Sequence, residues 1–154
     1  MQLRSVPGKP MKSQDQAAPI ITATIVAEDN RLDFYPSYFG KYYLAGENLI
    51  YVMARRFLKD YQGGYWNFYT LSNGGVFAAL NTDTPQHFIV ADNYFSEHMS
   101  AEAAGITLTL FVLGRLLAAR IPEIEAQRFQ VLYYKLRDFA IEHAESQAIL
   151  TAID

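Results

Sequence analysis

The chain has 154 residues, 51% of them hydrophobic and 14% aromatic, no cysteine, and a formal net charge of −3. Such a chain can bury a core without a staple, which excludes global disorder, and it can form no disulfide, thiolate metal site or thiol nucleophile. Its 16 acidic and 13 basic residues supply neither the basic surplus of a general phosphate binder nor the acidic array of a DNA mimic, which must match about one charge per 1.7 Å of duplex.

Residues 1–19 read as a flexible N-terminal tail. Arg4, Lys9 and Lys12 make it mildly basic, and Pro7, Gly8 and Pro10 break regular structure. It carries no apolar leader, so a cytoplasmic location is expected. A single domain is expected over residues 20–154. Residues 20–26 alternate β-branched and small side chains, as a strand does, and Asp29-Asn30 ends the run. Phe34-Tyr35-Pro36 and Tyr38-Phe39-Gly40 predict a short helical turn packed on the core.

Residues 46–61 predict an amphipathic helix. Leu49, Ile50, Met53, Phe57 and Tyr61 recur every three to four positions, Arg55, Arg56 and Lys59 take other faces, and Gly63-Gly64 stops it. Residues 65–69 and 76–80 are two β-prone runs around Ser72-Asn73-Gly74-Gly75. An Asn-Gly pair tolerates positive φ and so predicts a tight hairpin. Residues 87–91 read as a third antiparallel strand, followed by a loop that carries His98. Ser100 can cap a long helix from Ala101, with Glu102 facing the positive end of the dipole. Its apolar run, residues 103–114, is about 12 residues long, short of the ~18 of a membrane span. Apolar on nearly all sides, this helix belongs at the centre of the fold. Pro122 suits the first turn of the next helix, whose core face is Phe129, Leu132, Leu136 and Phe139 and whose wet side is Arg128, Lys135, Arg137, Asp138 and Glu142. A last short helix spans about residues 145–152. No internal repeat or heptad array is legible. The expected class is α+β: a small antiparallel sheet of three to four strands packed with three to four helices.

The sequence holds no nucleotide-binding, zinc-protease or serine-hydrolase motif. Catalytic residues, cofactor and metal are therefore all expected to be none. His87, Asp92 and His98 are the nearest approach to a base or metal site, but their spacing is not diagnostic, and a hydrogen-bonded or solvated histidine is the preferred reading. Asp60-Tyr61-Gln62-Gly63-Gly64-Tyr65-Trp66 joins a helix end to a strand through polar and aromatic groups, which either form a recognition surface or, as is preferred for any single aromatic among Tyr61, Trp66 and Phe68, simply fill the core. No lysine or arginine occurs from Tyr61 through Gly114, where Asp83, Asp92, Glu97 and Glu102 all lie. That stretch either presents a neutral-to-negative face, poor for phosphate and suited to a basic protein surface, or simply lacks charge because much of it is buried. Asp154 adds a second negative spot.

Several ordered segments make the chain resemble the ArdB/KlcA antirestriction family. They are Ile21-Thr22-Ala23-Thr24; Phe34-Tyr35-Pro36 with Phe39-Gly40; Asp60-Tyr61-Gln62-Gly63-Gly64 with Trp66; Phe68-Tyr69-Thr70-Leu71-Ser72-Asn73-Gly74-Gly75; Ser100-Ala101-Glu102-Ala103-Ala104-Gly105-Ile106; Leu136-Arg137-Asp138-Phe139-Ala140 with His143; and Ala152-Ile153-Asp154. The resemblance implies a mixed α/β fold and no established enzymatic activity. It implies inhibition of type I restriction-modification enzymes in the cell, protecting incoming plasmid or phage DNA, and not by DNA mimicry. The partner is then the type I restriction enzyme complex, reached directly or indirectly, with no membrane and no direct nucleic-acid contact. Asp60, Gln62, Ser72, Asn73, Gly74, Gly75, Asp138 and Asp154 are nominated as its binding surface. The alternative is a nucleic-acid-binding accessory protein using Arg55, Arg56 and Lys59.

Overall fold

The computed structural model describes residues 19–154; the tail expected over residues 1–19 lies outside the described residues except for Pro19. The strands are β1 (Ala23–Ile25), β2 (Trp66–Leu71), β3 (Val76–Leu80), β4 (Gln86–Val90) and β5 (Phe95–Met99), and the helices are α1 (Phe34–Phe39), α2 (Tyr43–Phe57), α3 (Ala101–Ala118), α4 (Glu123–Glu142) and α5 (Ser146–Ile153). The fold is α+β, as expected, but its strands divide into two antiparallel sheets, β1-β2-β3 and β4-β5. The run read as a third strand of the first sheet starts a separate hairpin instead. The segment around His98 is its return strand and not a loop, with His87 opposite His98. Its alternation is hard to read because only Phe95 and Met99 of β5 are buried.

β2 and β3 form the expected hairpin, registered Phe68 to Ala78. Gly74 takes φ 93° at its turn. Asn73 is tied down twice, its Nδ2 donating to the Lys135 carbonyl and its Oδ1 accepting from Gly75 N–H, each at 2.9 Å. β1 pairs with the outer edge of β2, Ala23 opposite Leu71. The side chains of Val76, Phe77, Ala78 and Ala79 in β3 are all buried.

α3 crosses the middle of the molecule and packs on β3, α2, α4 and α5. Ser100 caps it as predicted: its Oγ accepts from Ala103 N–H at 3.0 Å. Glu145, from the loop before α5, accepts from both the Ser100 backbone N–H and its hydroxyl, which closes a capping box across the chain. Gly105 permits the close approach to the sheet, since a Cβ there would lie 2.3 Å from the Ala78 carbonyl and 2.4 Å from the Ala79 Cβ. Thr109, buried, donates to the Gly105 carbonyl and accepts from Ala78 N–H, so its hydroxyl costs little where it sits. α3 is long and apolar enough to cross a membrane by length and composition, but 67% of that stretch is buried inside the fold.

Two boundaries differ from expectation. α2 begins at Tyr43 and stops at Phe57, four residues before Tyr61, because Leu58 bridges Phe88 and Lys59 N–H donates to the His87 carbonyl. The chain leaves the helix to extend the second sheet, so Lys59 does not share a helix with Arg55 and Arg56. In α4 the fourth buried residue is Ala140, with Phe139 half-buried beside it.

Candidate partner-binding surface

The nominated residues do not form one site. Asp60 and Gln62 are exposed on the loop after α2, in a shallow depression with Gly64, Tyr65 and Asn81. Ser72, Asn73, Gly74 and Gly75 sit at the other end of the β2–β3 hairpin, about 20 Å away for strands of this length. There the turn serves the fold: Gly75 is buried, Asn73 is spent on α4, and Ser72 Oγ accepts from Thr22 N–H at 2.9 Å. Asp138 lies on the outer face of α4 and Asp154 ends α5, both exposed.

The histidines come together without the carboxylate. His87 and His98 stack across β4 and β5 with ring centroids 4.4 Å apart, and His87 Nε2 lies 2.8 Å from Ser96 Oγ. Asp92 turns instead to Arg56, at 3.6 Å. Among the described residues no three His, Asp or Glu side chains are grouped to hold a metal. His143 accepts from Glu145 N–H at Nδ1, which leaves its Nε2 proton to bond Glu102 at 2.7 Å. It joins α4 to the start of α3. These contacts thin the expected negative face, since Asp92 and Glu102, two of its four acids, are engaged by Arg56 and His143.

The most site-like feature is a groove of about 380 Å³ between α2, the turn before α1, and the start of β2. Its floor is Tyr35, Trp66 and Phe68, all buried. Its rim holds Arg31, Leu32, Tyr43, Glu47, Tyr51 and Tyr65, of which Leu32 is 92% exposed. The local sequence explains each wall. Tyr43, Glu47 and Tyr51 recur every fourth residue and share one face of α2. Alternation along β2 turns Trp66 and Phe68 inward together. Phe34 stacks on Phe68 at 4.6 Å, which anchors α1 to the strand. Arg31 places its guanidinium over both Tyr65 and Phe68, 4.4 Å from each ring centre, a cation–π sandwich. Tyr51 donates to Glu47 at 3.2 Å and Tyr65 to Glu28 at 3.2 Å. Trp66 Nε1 is buried without a hydrogen-bond partner among the described residues.

Burial raises the Tyr35 phenol far above its ordinary value, with Tyr51 and Glu47 adding to the effect. Burial and Glu47 also raise Tyr51. Both phenols therefore stay protonated at physiological pH rather than acting as bases: Tyr51 donates to Glu47, and Tyr35 packs its ring against Phe34, Phe39 and Phe68. A groove of this size, apolar below with a few converging polar groups above, has the usual make-up of a recognition site. Sequence reasoning touched one wall, through Tyr65 and Trp66, placed Tyr35 of the floor in a turn packed on the core, and did not single out Arg31, Tyr43, Glu47 or Tyr51. The four-residue spacing of Tyr43, Glu47 and Tyr51 was its available signal.

A family model described as "Antirestriction protein" matches residues 59–154. Antirestriction protein KlcA of Escherichia coli is 43% identical over 145 residues, 94% of this chain and 100% of that protein. The chain belongs to the antirestriction protein family. The uncharacterized protein YafX of Escherichia coli strain K12 is 38% identical over 138 residues, covering 87% of this chain and 88% of its own. A solved structure from the KlcA and ArdB proteins superposes with a TM-score of 0.82 at 41% identity, over 92% of this chain and all of the other. Those proteins show a novel fold and antirestriction activity against type I DNA restriction systems in vivo but not in vitro. In this antirestriction protein the family match covers one wall of the groove, Gly64 to Phe68; the other, Arg31 to Tyr51, precedes it.

Proposed function

We propose that this protein relieves type I restriction inside the cell by binding a protein partner, either the restriction complex itself or a cellular protein that acts on it. The observation that carries this is the structural match, at 41% identity over 92% of the chain, to proteins active against type I systems in vivo but not in vitro. Activity that needs the cell argues for a further component, and a component is met through a surface. Charge supports the same reading. Sixteen acids against thirteen bases fit neither phosphate binding nor duplex mimicry. Arg56, part of the basic cluster that a nucleic-acid reading would use, is paired with Asp92.

The surface we assign to the partner is the aromatic groove, continued by Asp60 and Gln62, which adjoin it through Gly64 and Tyr65. Tyrosine and tryptophan bury large areas while keeping a polar handle, the usual basis of interface hot spots. The test is the plating efficiency of unmodified phage on cells carrying a type I restriction system. Efficiency should rise when this protein is expressed; no rise, with the protein soluble and abundant, overturns the function. Tyr65→Ala with Leu32→Ala should abolish the rise without loss of fold. Full protection by that folded variant overturns the groove and leaves the function standing.

A further inference from the structure

α4 is apolar on two opposite faces. Phe129, Leu132, Leu136 and Ala140 face the core and are buried. On the opposite side Ile124 is 72% exposed, Val131 51%, Tyr134 56% and Ile141 46%. Their spacing is that of a heptad: Ile124, Val131 and Asp138 take one seam position, and Gln127, Tyr134 and Ile141 the other. The stripe runs about 26 Å along the helix. It escapes a reading of the sequence because only four of the six positions are apolar and the core-facing residues interleave with them. Four large apolar side chains on one helix face that has no partner among the described residues are more than scattered surface hydrophobics.

We propose that this face is the contact between two copies of this chain, with the α4 helices packed antiparallel about a two-fold axis. An antiparallel pairing sets Ile124 against the partner's Ile141 and Val131 against the partner's Tyr134. It sets Gln127 against the partner's Asp138, an amide donor opposite a carboxylate acceptor. The flanks agree in charge. Glu123 faces the partner's Arg137, twice by symmetry, while the Arg128 guanidinium lies against Gly40 of its own chain and does not reach the partner's Glu142. Gln130 meets its own copy near the axis. Lys135 also meets its copy, but its side chain lies against Gly74 and Gly75, drawn off the seam. A parallel pairing instead buries Asp138 against Asp138, two like charges in the seam, which selects against it. A seam this short lies at the small end of interfaces, so the dimer is reversible.

The chain's lack of cysteine makes the test clean. Sedimentation equilibrium from about 10 to 500 µM should show the average mass rising from monomer towards dimer, the range expected for a small interface. The variant Val131→Glu with Tyr134→Glu should stay monomeric throughout, with an unchanged circular dichroism spectrum, since both side chains are exposed. Gln130→Cys should give a disulfide-linked dimer under mild oxidation, faster than Asp138→Cys. A wild type that stays monomeric overturns the proposal and leaves the stripe to a foreign helix. A dimer that survives the double variant overturns the seam, and faster cross-linking through Asp138→Cys overturns the antiparallel order.

Discussion

α3 and α4 are the two longest helices, 18 and 20 residues, and they handle apolar side chains in opposite ways. α3 is apolar around almost its whole circumference, and the fold covers nearly all of it, with β3, α2, α4 and α5 packed on its sides. α4 is apolar on two faces, and the described residues cover one. The difference teaches that hydrophobicity fixes how much surface a helix wants hidden, while topology decides how much one chain can hide. The uncovered face of α4 is the one we propose a second copy of the chain covers.

The sharpest way to break this comparison is to cut both faces of α4. Phe129→Ala removes a fully buried ring and should cost about 3–5 kcal/mol in urea unfolding, while Val131→Ala, two residues on, should stay within about 0.5 kcal/mol. Equal losses would mean the outer face is part of the folded core. Next in size is the closeness of α3 to the sheet. Gly105→Ala puts a methyl against the Ala78 carbonyl and should cost about 1–3 kcal/mol; a neutral result in the same assay would show that the helix can back away. Ser100→Ala removes the cap and the partner of Glu145, and should lower stability by about 1–2 kcal/mol. The smallest effect is alkaline. Tyr35 holds its proton in the fold, while the unfolded phenol loses it above about pH 10. The unfolded state then binds fewer protons, so stability falls as pH rises beyond that point. Tyr35→Phe should flatten this limb of the stability–pH curve, and an unchanged slope would assign the loss to other groups.

Much of the architecture was legible. Ser100 announced the start of α3, and the apolar run to Gly114 announced its burial, because caps and uniform hydrophobicity are local properties. The Asn73-Gly74 turn was legible for the same reason. The division into two sheets was not. β4 has the composition of a strand of the first sheet, and only long-range pairing with β5 shows otherwise. The end of α2 was misplaced because Tyr61 continues its spacing, while the Leu58–Phe88 bridge and the backbone bond from Lys59 to His87 prevail over that pattern. The groove was half legible: Tyr65 and Trp66 drew notice as aromatics joining a helix end to a strand, and Trp66 is buried as the core reading preferred, but Arg31 and Glu47 are ordinary surface charges until the fold sets them around the same rings.

By itself, then, the sequence determined the α+β class, the central helix, the first hairpin and a near-balanced overall charge of −3. These follow from spacing, capping and charge, all of which act within a few residues or sum over the whole chain. Only the tertiary structure decided that Asp60 and Ser72 lie at opposite ends of a hairpin, that Asp92 leaves His87 and His98 for Arg56, and that α1, α2 and β2 enclose one groove. It also left the second apolar face of α4 in water. Those outcomes depend on which distant segments meet, and packing and strand register settle that only when the whole chain has folded.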